Sequence, residues 1–256
     1  MPADEARALS DVPKGYERAI ALLHDCCTKS GFLASPTKRD NYRRIWGRDS
    51  VVIGLAGILS EEQDLIDGCR RSLETLARHQ GPHGEIPSNV DPQTERVSYG
   101  GTAGRVDANL WFVIGCGEYW RSTGDDEFMD RMLEPLQNVR FLLGAWEFNN
   151  RGLIYVPPTG DGADEYLQSG YVLHDQLLYL QSQKEFCTIH RQLHESADHD
   201  LEGRVSRLKH LIRDNYWFDH EKHPPDDVYH DVLYDKGRKA APNRGGSYWM
   251  PFFSPF

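Results

Sequence analysis

The sequence lacks the features that mark nucleic-acid-binding and membrane-spanning proteins. The chain of 256 residues has a net charge of −10 and a pI near 5.5. An acidic balance of this size argues against nucleic acid or an anionic membrane surface as a partner. No apolar run is long enough to cross a bilayer, and residues 1–10 contain no signal-peptide core. We therefore expect a cytoplasmic protein that binds neither nucleic acid nor membrane.

Cysteine is scarce, and its placement favours reduced thiols. The sequence has five cysteines and no CxxC pair, and all five lie within helical patterns: Cys26, Cys27, Cys69, Cys116 and Cys187. An odd number with this spacing predicts core residues in a reducing compartment rather than a disulfide framework.

The motifs of cofactor and metal chemistry are also missing. The chain has no HExxH, no P-loop, no dinucleotide fingerprint after a strand and no GxSxG. His190 and His194 have the spacing of a metal-binding pair on a helix, but no local set of carboxylates accompanies them. We interpret them as a solvated helix face, and we expect no metal and no cofactor.

Hydrophobic residues at helical spacing fill most of the chain. No alternation typical of a strand runs for more than a few residues, so the fold class is all-α, as one domain over residues 1–256. The predicted helices span residues 14–29 (with Pro13 just before the first), 49–59, 61–80, 105–122, 126–146, 171–190 and 198–216.

The predicted helices follow a regular order. Amphipathic helices alternate with helices that are apolar on most sides, and an apolar helix belongs to an inner layer that an amphipathic helix covers. The connection into each apolar helix is long and the return connection is short. This order predicts a toroid of helical hairpins with all long loops at one end, over the N-termini of the inner helices. Loops gathered in this way usually carry function.

Each long loop brings carboxylates to the start of an inner helix. We expect three of them, Asp49, Asp107 and Asp164, to converge in one cleft although they lie 58 and 57 residues apart. An alternative for the first loop is that Asp49 or Ser50 only caps the helix, with Arg48 as an ion partner. The candidate site residues are Trp46, Arg48 and Asp49 in the first loop, Arg105 and Asp107 in the second, and Asp161, Asp164 and Glu165 in the third.

Carboxylates that converge with Trp and Arg suit a sugar. Carboxylates accept hydrogen bonds from paired hydroxyls, and aromatic rings stack on the C–H faces of the sugar ring. Cleavage of a glycosidic bond needs one carboxylic acid to protonate the leaving oxygen and a second carboxylate as base or nucleophile. The sequence therefore favours a small oligosaccharide as the substrate.

Three motifs in order resemble one glycosidase superfamily. Residues 46–50 (WGRDS) match an aromatic-x-Arg-Asp motif that enters the first inner helix. Residues 104–112 match a Gly-Arg-Val…Asp-x-x-Leu-Trp-Phe segment, which ends at residues 123–125 (TGD). Asp164 precedes a Gly-Tyr…Gln helix start at residues 170–176. Over residues 40–190 the chain resembles the six-hairpin (α/α)6-toroid glycosidases, and most of all the neutral/alkaline invertases and the amylo-α-1,6-glucosidase domain of glycogen debranching enzymes.

The resemblance implies an inverting glycoside hydrolase acting on an α-glucosidic or sucrose-type bond. The third aspartate of the family, here Asp164, would be the general acid. The invertase surroundings of that acid are absent, since this chain has Gly-Ala-Asp-Glu-Tyr there, so the role could instead belong to Glu165. The first two motifs would bind the sugar through Trp46, Arg48, Asp49, Arg105 and Asp107.

The same resemblance predicts a partial toroid. The family fold has twelve helices, and this sequence provides about seven to eight, with the family's catalytic base lying further toward the C-terminus. Residues 249–256 (WMPFFSPF) carry no charge. We expect an open ring in which either this aromatic run or Trp111 and Phe112 are unusually accessible.

Two other functions remain open from the sequence. A helical-hairpin protein could bind carbohydrate, or be purely structural, without catalysis. A sugar epimerase or lyase on the same toroid would rely on His or Tyr bases, and these residues do not cluster in the sequence.

Overall fold

The computed structural model describes residues 3–38, 41–101, 104–162, 169–216 and 232–233, and these residues form an all-α structure. The strands in the described residues are each only two residues long: β1 (Cys27–Thr28), β2 (Gly31–Phe32), β3 (Ile45–Trp46), β4 (Asn89–Val90), β5 (Val97–Ser98), β6 (Tyr171–Val172) and β7 (Val232–Leu233). The helices are α1 (Ala3–Cys26), α2 (Asp49–Leu59), α3 (Gln63–Arg78), α4 (Val106–Thr123), α5 (Asp126–Ala145), α6 (Leu173–His194) and α7 (His199–Tyr216), with a 3-10 turn at Phe148–Asn150.

The helices are arranged as successive hairpins. Residues 60–62, 124–125 and 195–198 make the short connections from α2 to α3, from α4 to α5 and from α6 to α7. The connections into α2, α4 and α6 are the long ones. Gly124 ends α4 in the left-handed conformation (φ 67°), and Asp125 caps α5 by accepting a hydrogen bond of 2.9 Å from the Phe128 N–H. The predicted alternation of long and short connections is confirmed.

Helix α4 is the centre of the core. It packs against α2 and α6 in the inner layer and against α3 and α5 in the outer layer. Trp111 and Phe112 are therefore buried, at 9% and 0% exposure. The expectation that these two side chains are accessible is wrong, because neighbouring helices cover α4 on all sides. The other half of that expectation, residues 249–256, lies outside the described residues.

Helices α1 and α2 differ from their predicted forms. Helix α1 begins ten residues before Pro13, so that proline lies inside the helix instead of preceding it. Helix α2 was expected to be buried on all sides, but Val52 is 46% exposed and Leu59 is 85% exposed. The apolar sequence of α2 thus covers the core with one face and meets solvent with the other.

A small sheet joins two of the long connections. Strand β3 (Ile45–Trp46), before α2, pairs antiparallel with β4 (Asn89–Val90), and β4 pairs with β5 (Val97–Ser98), before α4. Arg44 adds a side-chain hydrogen bond of 3.0 Å to the amide oxygen of Asn89. These contacts fix both loops at the N-terminal ends of the inner helices.

Two buried amide side chains fix the loops to the inner helices. Asn109, in α4, accepts a hydrogen bond from the Ile86 N–H at 2.9 Å and donates to the Arg105 carbonyl at 2.7 Å. Gln176, in α6, accepts from the Ile154 N–H at 3.0 Å and donates to the Ile154 carbonyl at 2.8 Å. Each amide satisfies backbone groups that would otherwise be buried without partners.

Candidate functional site

Each inner helix carries an aspartate in its first turn. These residues are Asp49 in α2, Asp107 in α4 and Asp175 in α6. A helix N-terminus has unpaired N–H groups and partial positive charge, which favour a carboxylate there. The hairpin order places the three helix starts at the same end of the molecule, where the long loops lie.

Arg48 joins the first two aspartates. Its Nη1 lies 2.8 Å from Asp107 Oδ2, and its Nη2 lies 3.6 Å from Asp49 Oδ2. The Asp107 side chain is 3% exposed, so this ion pair is nearly free of solvent on its aspartate side. The structure thus brings together three residues that the sequence selected from two separate motifs.

The start of α2 is not capped in the way the alternative proposed. Arg48 occupies the N-cap position and makes no capping hydrogen bond with its side chain. Asp49 is inside the helix, and the Ser50 hydroxyl donates to the Trp46 carbonyl at 2.6 Å. Capping therefore does not explain Asp49, whereas its contact with Arg48 links it to the aspartate of α4.

Trp46 lies at the edge of this cluster, on strand β3. Its ring stacks on Tyr42 with centroids 6.1 Å apart and planes 24° apart. Its Nε1 donates to the Asn41 carbonyl at 3.2 Å. Trp46 is partly exposed, so this pair of rings offers an aromatic surface in the first long loop, close in the chain to Arg48 and Asp49.

The third long loop lies over the start of α4. The Val106 N–H donates to the Gly160 carbonyl at 2.7 Å, and Arg105 Nη1 donates to the backbone carbonyl of Asp161. Gly162 then approaches the ion pair so closely that a Cβ there would lie 3.2 Å from Asp107 Oδ2 and collide with the Arg48 guanidinium. The loop therefore contacts the cluster up to residue 162. Asp164 and Glu165 lie outside the described residues.

The structure adds three residues that sequence reasoning did not select for the site. Asp161, named only as one of the loop carboxylates, is 2% exposed and lies beside this cluster. His174 and Asp175 begin α6, next to the ion pair. One signal could have found the last two: an acid in the first turn, preceded within two residues by a basic side chain, occurs in all three inner helices.

Two side chains at the start of α6 have shifted pKa values. Burial raises the pKa of the Asp175 carboxyl well above its ordinary value, and Asp161 and Asp107 raise it further. Burial lowers the pKa of His174, Arg48 lowers it too, and Asp107 opposes both. At neutral pH we therefore expect His174 to be mostly uncharged, and we expect the Asp175 carboxyl to keep its proton to a higher pH than an exposed aspartate does.

Three other findings on the described residues bear on function. A cleft of about 680 Å³ lies between α3 and α5, lined among others by Glu74, Gln80, Arg131 and Asn138. It is on the outer layer, its lining includes none of the aspartates of the cluster, and its charged walls include the Glu74–Arg131 pair at 2.7 Å. The described part of the chain contains no group of His, Cys, Asp and Glu side chains suited to a metal ion. None of the described helices is both long and apolar enough to cross a membrane.

Comparison with known proteins agrees with this architecture. The amylo-alpha-1,6-glucosidase family matches residues 39–149, which hold the first two motifs and two of the hairpins. A rhamnosidase from Klebsiella oxytoca, solved with rhamnose bound, has a similar structure, with a TM-score of 0.62 and 17% sequence identity. The chain has the fold of the six-hairpin glycosidases. The structural match covers 82% of this chain and 39% of the rhamnosidase, so the chain spans well under half the length of that six-hairpin relative. No curated protein matches the sequence.

Proposed function

We propose that this protein is a glycoside hydrolase that binds a small oligosaccharide at the N-terminal ends of α2, α4 and α6. The observation that carries the proposal is the partly buried ion pair between Arg48 and Asp107, with Asp49 in contact with the same arginine and Trp46 two residues before it in the chain. A fixed carboxylate can accept hydrogen bonds from sugar hydroxyls, and the partly exposed ring can stack on a sugar face. The family match over residues 39–149 and the rhamnosidase-like fold support this class of activity.

The finer parts of the proposal follow the sequence motifs. The reaction would be inverting, on an α-glucosidic or sucrose-type bond, and residues 1–256 would form a single toroid domain. Five free cysteines fit a cytoplasmic location. Arg105 would act by holding the third loop over the ion pair, through its hydrogen bond to Asp161.

Asp164 is the proposed general acid, with Glu165 as the alternative. Gly162 contacts Arg48 and Asp107, and Asp164 is two residues further along the chain. Since two Cα–Cα steps span at most about 7 Å, a carboxyl at residue 164 would be within reach of a sugar bound at the ion pair. General acid catalysis contributes roughly 10²–10⁴-fold to the rate.

Replacing Asp164 by asparagine should therefore lower kcat by about 10²–10⁴-fold and change the affinity for substrate much less. The measurement is hydrolysis of a panel of maltose, isomaltose, sucrose and aryl rhamnosides by the wild type, by Asp164→Asn and by Glu165→Gln. Asp130→Asn is the matched control, since Asp130 is an exposed residue of the outer helix α5. Proton NMR of the first sugar released would show inverted anomeric configuration.

The panel also separates the two carboxylates and the two functions. Unchanged turnover in Asp164→Asn removes that residue from the acid role, and a matching loss in Glu165→Gln transfers the role. A wild type that binds a sugar by calorimetry but hydrolyses none of the panel is a carbohydrate-binding protein. The fixed Arg48–Asp107 pair alone would suffice for that second function, because it holds a ligand without moving a proton.

A further inference from the structure

Asp175 is a buried carboxyl group that the proposed chemistry does not use. It is the third residue of α6 and is 0% exposed. Apart from the weak contact with its own backbone N–H, neither of its carboxyl oxygens has a hydrogen-bond partner among the described residues. A buried polar group without a partner costs free energy, so its presence in the first turn of an inner helix calls for a physical reason.

The groups around Asp175 come from every element that meets at the site. Asp107 on α4 and Asp161 on the third loop are the nearby acids, and Arg48, before α2, is the nearby base. Asp107 is paired with Arg48 at 2.8 Å. Arg48 also contacts Asp49, and Arg105 donates to the Asp161 backbone. The two arginines are thus already engaged with other acids and carbonyls of the site, and His174, the residue before Asp175, is the basic side chain in the first turn of α6.

A proton on Asp175 removes its negative charge and with it the repulsion from the nearby Asp107 and Asp161. Burial, Asp161 and Asp107 all raise the pKa of the Asp175 carboxyl, while its own backbone N–H and Arg48 act in the opposite direction. The uncharged acid avoids placing a third negative charge next to two buried aspartates. The ionised form would repel both Asp107 and Asp161 in surroundings with little water to screen them.

We propose that Asp175 is a positioning residue of the site, whose carboxyl has to be uncharged for Asp107 and Asp161 to keep their places beside Arg48 and Arg105. Loss of its proton would push Asp107 and Asp161 away and so end ligand binding. The identity of the ligand as a sugar rests on the proposed function, but the coupling among the carboxyls does not. Asparagine has nearly the same shape as aspartic acid and is uncharged at every pH.

The raised pKa of Asp175 makes the stability of the folded protein depend on pH in one direction. The folded-state pKa of Asp175 is raised above its unfolded value, so its contribution is fully present below the unfolded pKa and is lost as pH rises through the folded pKa. Asp175→Asn cannot ionise, so the variant does not lose this stability as pH rises. The stability of the variant relative to the wild type should therefore increase steadily from mildly acidic to alkaline pH.

Two arms test the proposal on the whole protein. Urea unfolding across this pH range compares the wild type with Asp175→Asn and with Asp130→Asn, an exposed control. Calorimetry with rhamnose, glucose, maltose and sucrose measures affinity at the two ends of the range. At the acidic end, we expect the sugar affinities of the wild type and Asp175→Asn to agree within about twofold. At the alkaline end, the affinity of the wild type should be lower than its acidic value by about tenfold or more, and that of Asp175→Asn should not fall in this way.

The unfolding and calorimetry measurements distinguish failure of the proposed function from failure of the role proposed for Asp175. If no sugar binds at any pH, the proposed function is wrong, and the unfolding series still decides the role of Asp175. A variant whose stability relative to wild type does not change with pH, or whose affinity falls with pH as in the wild type, overturns the proposal. If Asp175→Asn does not fold, a neutral isostere is insufficient, which also contradicts it. Infrared spectroscopy of the wild type at neutral pH provides an independent check: a protonated buried carboxyl band is expected, and its absence counts against the proposal.

Discussion

Replacing Arg48 by methionine is expected to destabilise the protein by about 3–5 kcal/mol and to abolish sugar binding. Methionine keeps much of the length of the side chain but leaves the Asp107 carboxylate, 3% exposed, without its ion partner at 2.8 Å. Removal of one member of a buried ion pair is costly because the other charge remains in surroundings that solvate it poorly. The change also removes the Arg48 contact with Asp49 and the group that Gly162 approaches. Urea unfolding and calorimetry with a bound sugar measure the two effects.

A double-mutant cycle identifies the cause of this loss. Asp107→Asn in the Arg48→Met background removes the stranded charge, so the double variant should recover a large part of the stability lost in Arg48→Met. Sugar affinity should not return, since the fixed carboxylate is then missing as well. Additive losses in the cycle would show that Arg48 and Asp107 do not act as a pair.

Replacing Arg121 by methionine is expected to destabilise the protein by about 3 kcal/mol without changing its affinity for sugar. Arg121 lies near the C-terminal end of α4 and pairs with Glu185 of α6, whose side chain is 2% exposed. It also contacts Glu118 at 2.7 Å. Fourteen residues of helix separate Arg121 from Asp107, which is about 21 Å along the axis. The variant thus removes the arginine partner of a buried carboxylate, as Arg48→Met does, but at the opposite end of the same helices.

The destabilisation in Arg121→Met should depend on pH. Burial raises the pKa of Glu185, and Arg121 opposes that rise, so removal of the arginine raises the pKa further. At low pH the buried carboxyl takes up a proton and its unpaired charge disappears. We therefore expect a smaller loss of stability near pH 5 than near pH 8, in urea unfolding at both values. A loss of sugar affinity in this variant would show that the effects of Arg48→Met reflect general destabilisation and not a local site.

Much of the architecture could be predicted from the sequence because the helices alternate in hydrophobicity. The bounds of α2 agree with the prediction, and the Gly124–Asp125 junction ends one helix and caps the next as expected. These features depend on local chemistry: period, caps and glycine. The same reasoning placed the first two aspartates at neighbouring helix starts, because the order of long and short loops fixes which helix ends face the same way.

The remaining differences come from tertiary contacts that local chemistry does not contain. The sequence predicts a helix start just after Pro13, because an interior proline cannot donate a backbone hydrogen bond. Helix α1 nevertheless continues through Pro13 from Ala3, and local chemistry does not explain this. Asp175 reads as an ordinary first-turn acid, and only the packing of α6 against α4 shows that it is buried next to Asp107 and Asp161. The exposed face of α2 likewise depends on which helices cover it, which hydrophobicity alone does not determine.

A crystal structure of the protein soaked with a sugar that binds in calorimetry tests the central claim most directly. The account predicts electron density for a sugar ring at the N-terminal ends of α2, α4 and α6, with hydroxyls within about 3 Å of Asp49, Asp107 or Arg48 and one face of the ring on Trp46. The cleft between α3 and α5 should be free of ordered sugar. Density in that cleft, with none beside the Arg48–Asp107 pair, would contradict the account.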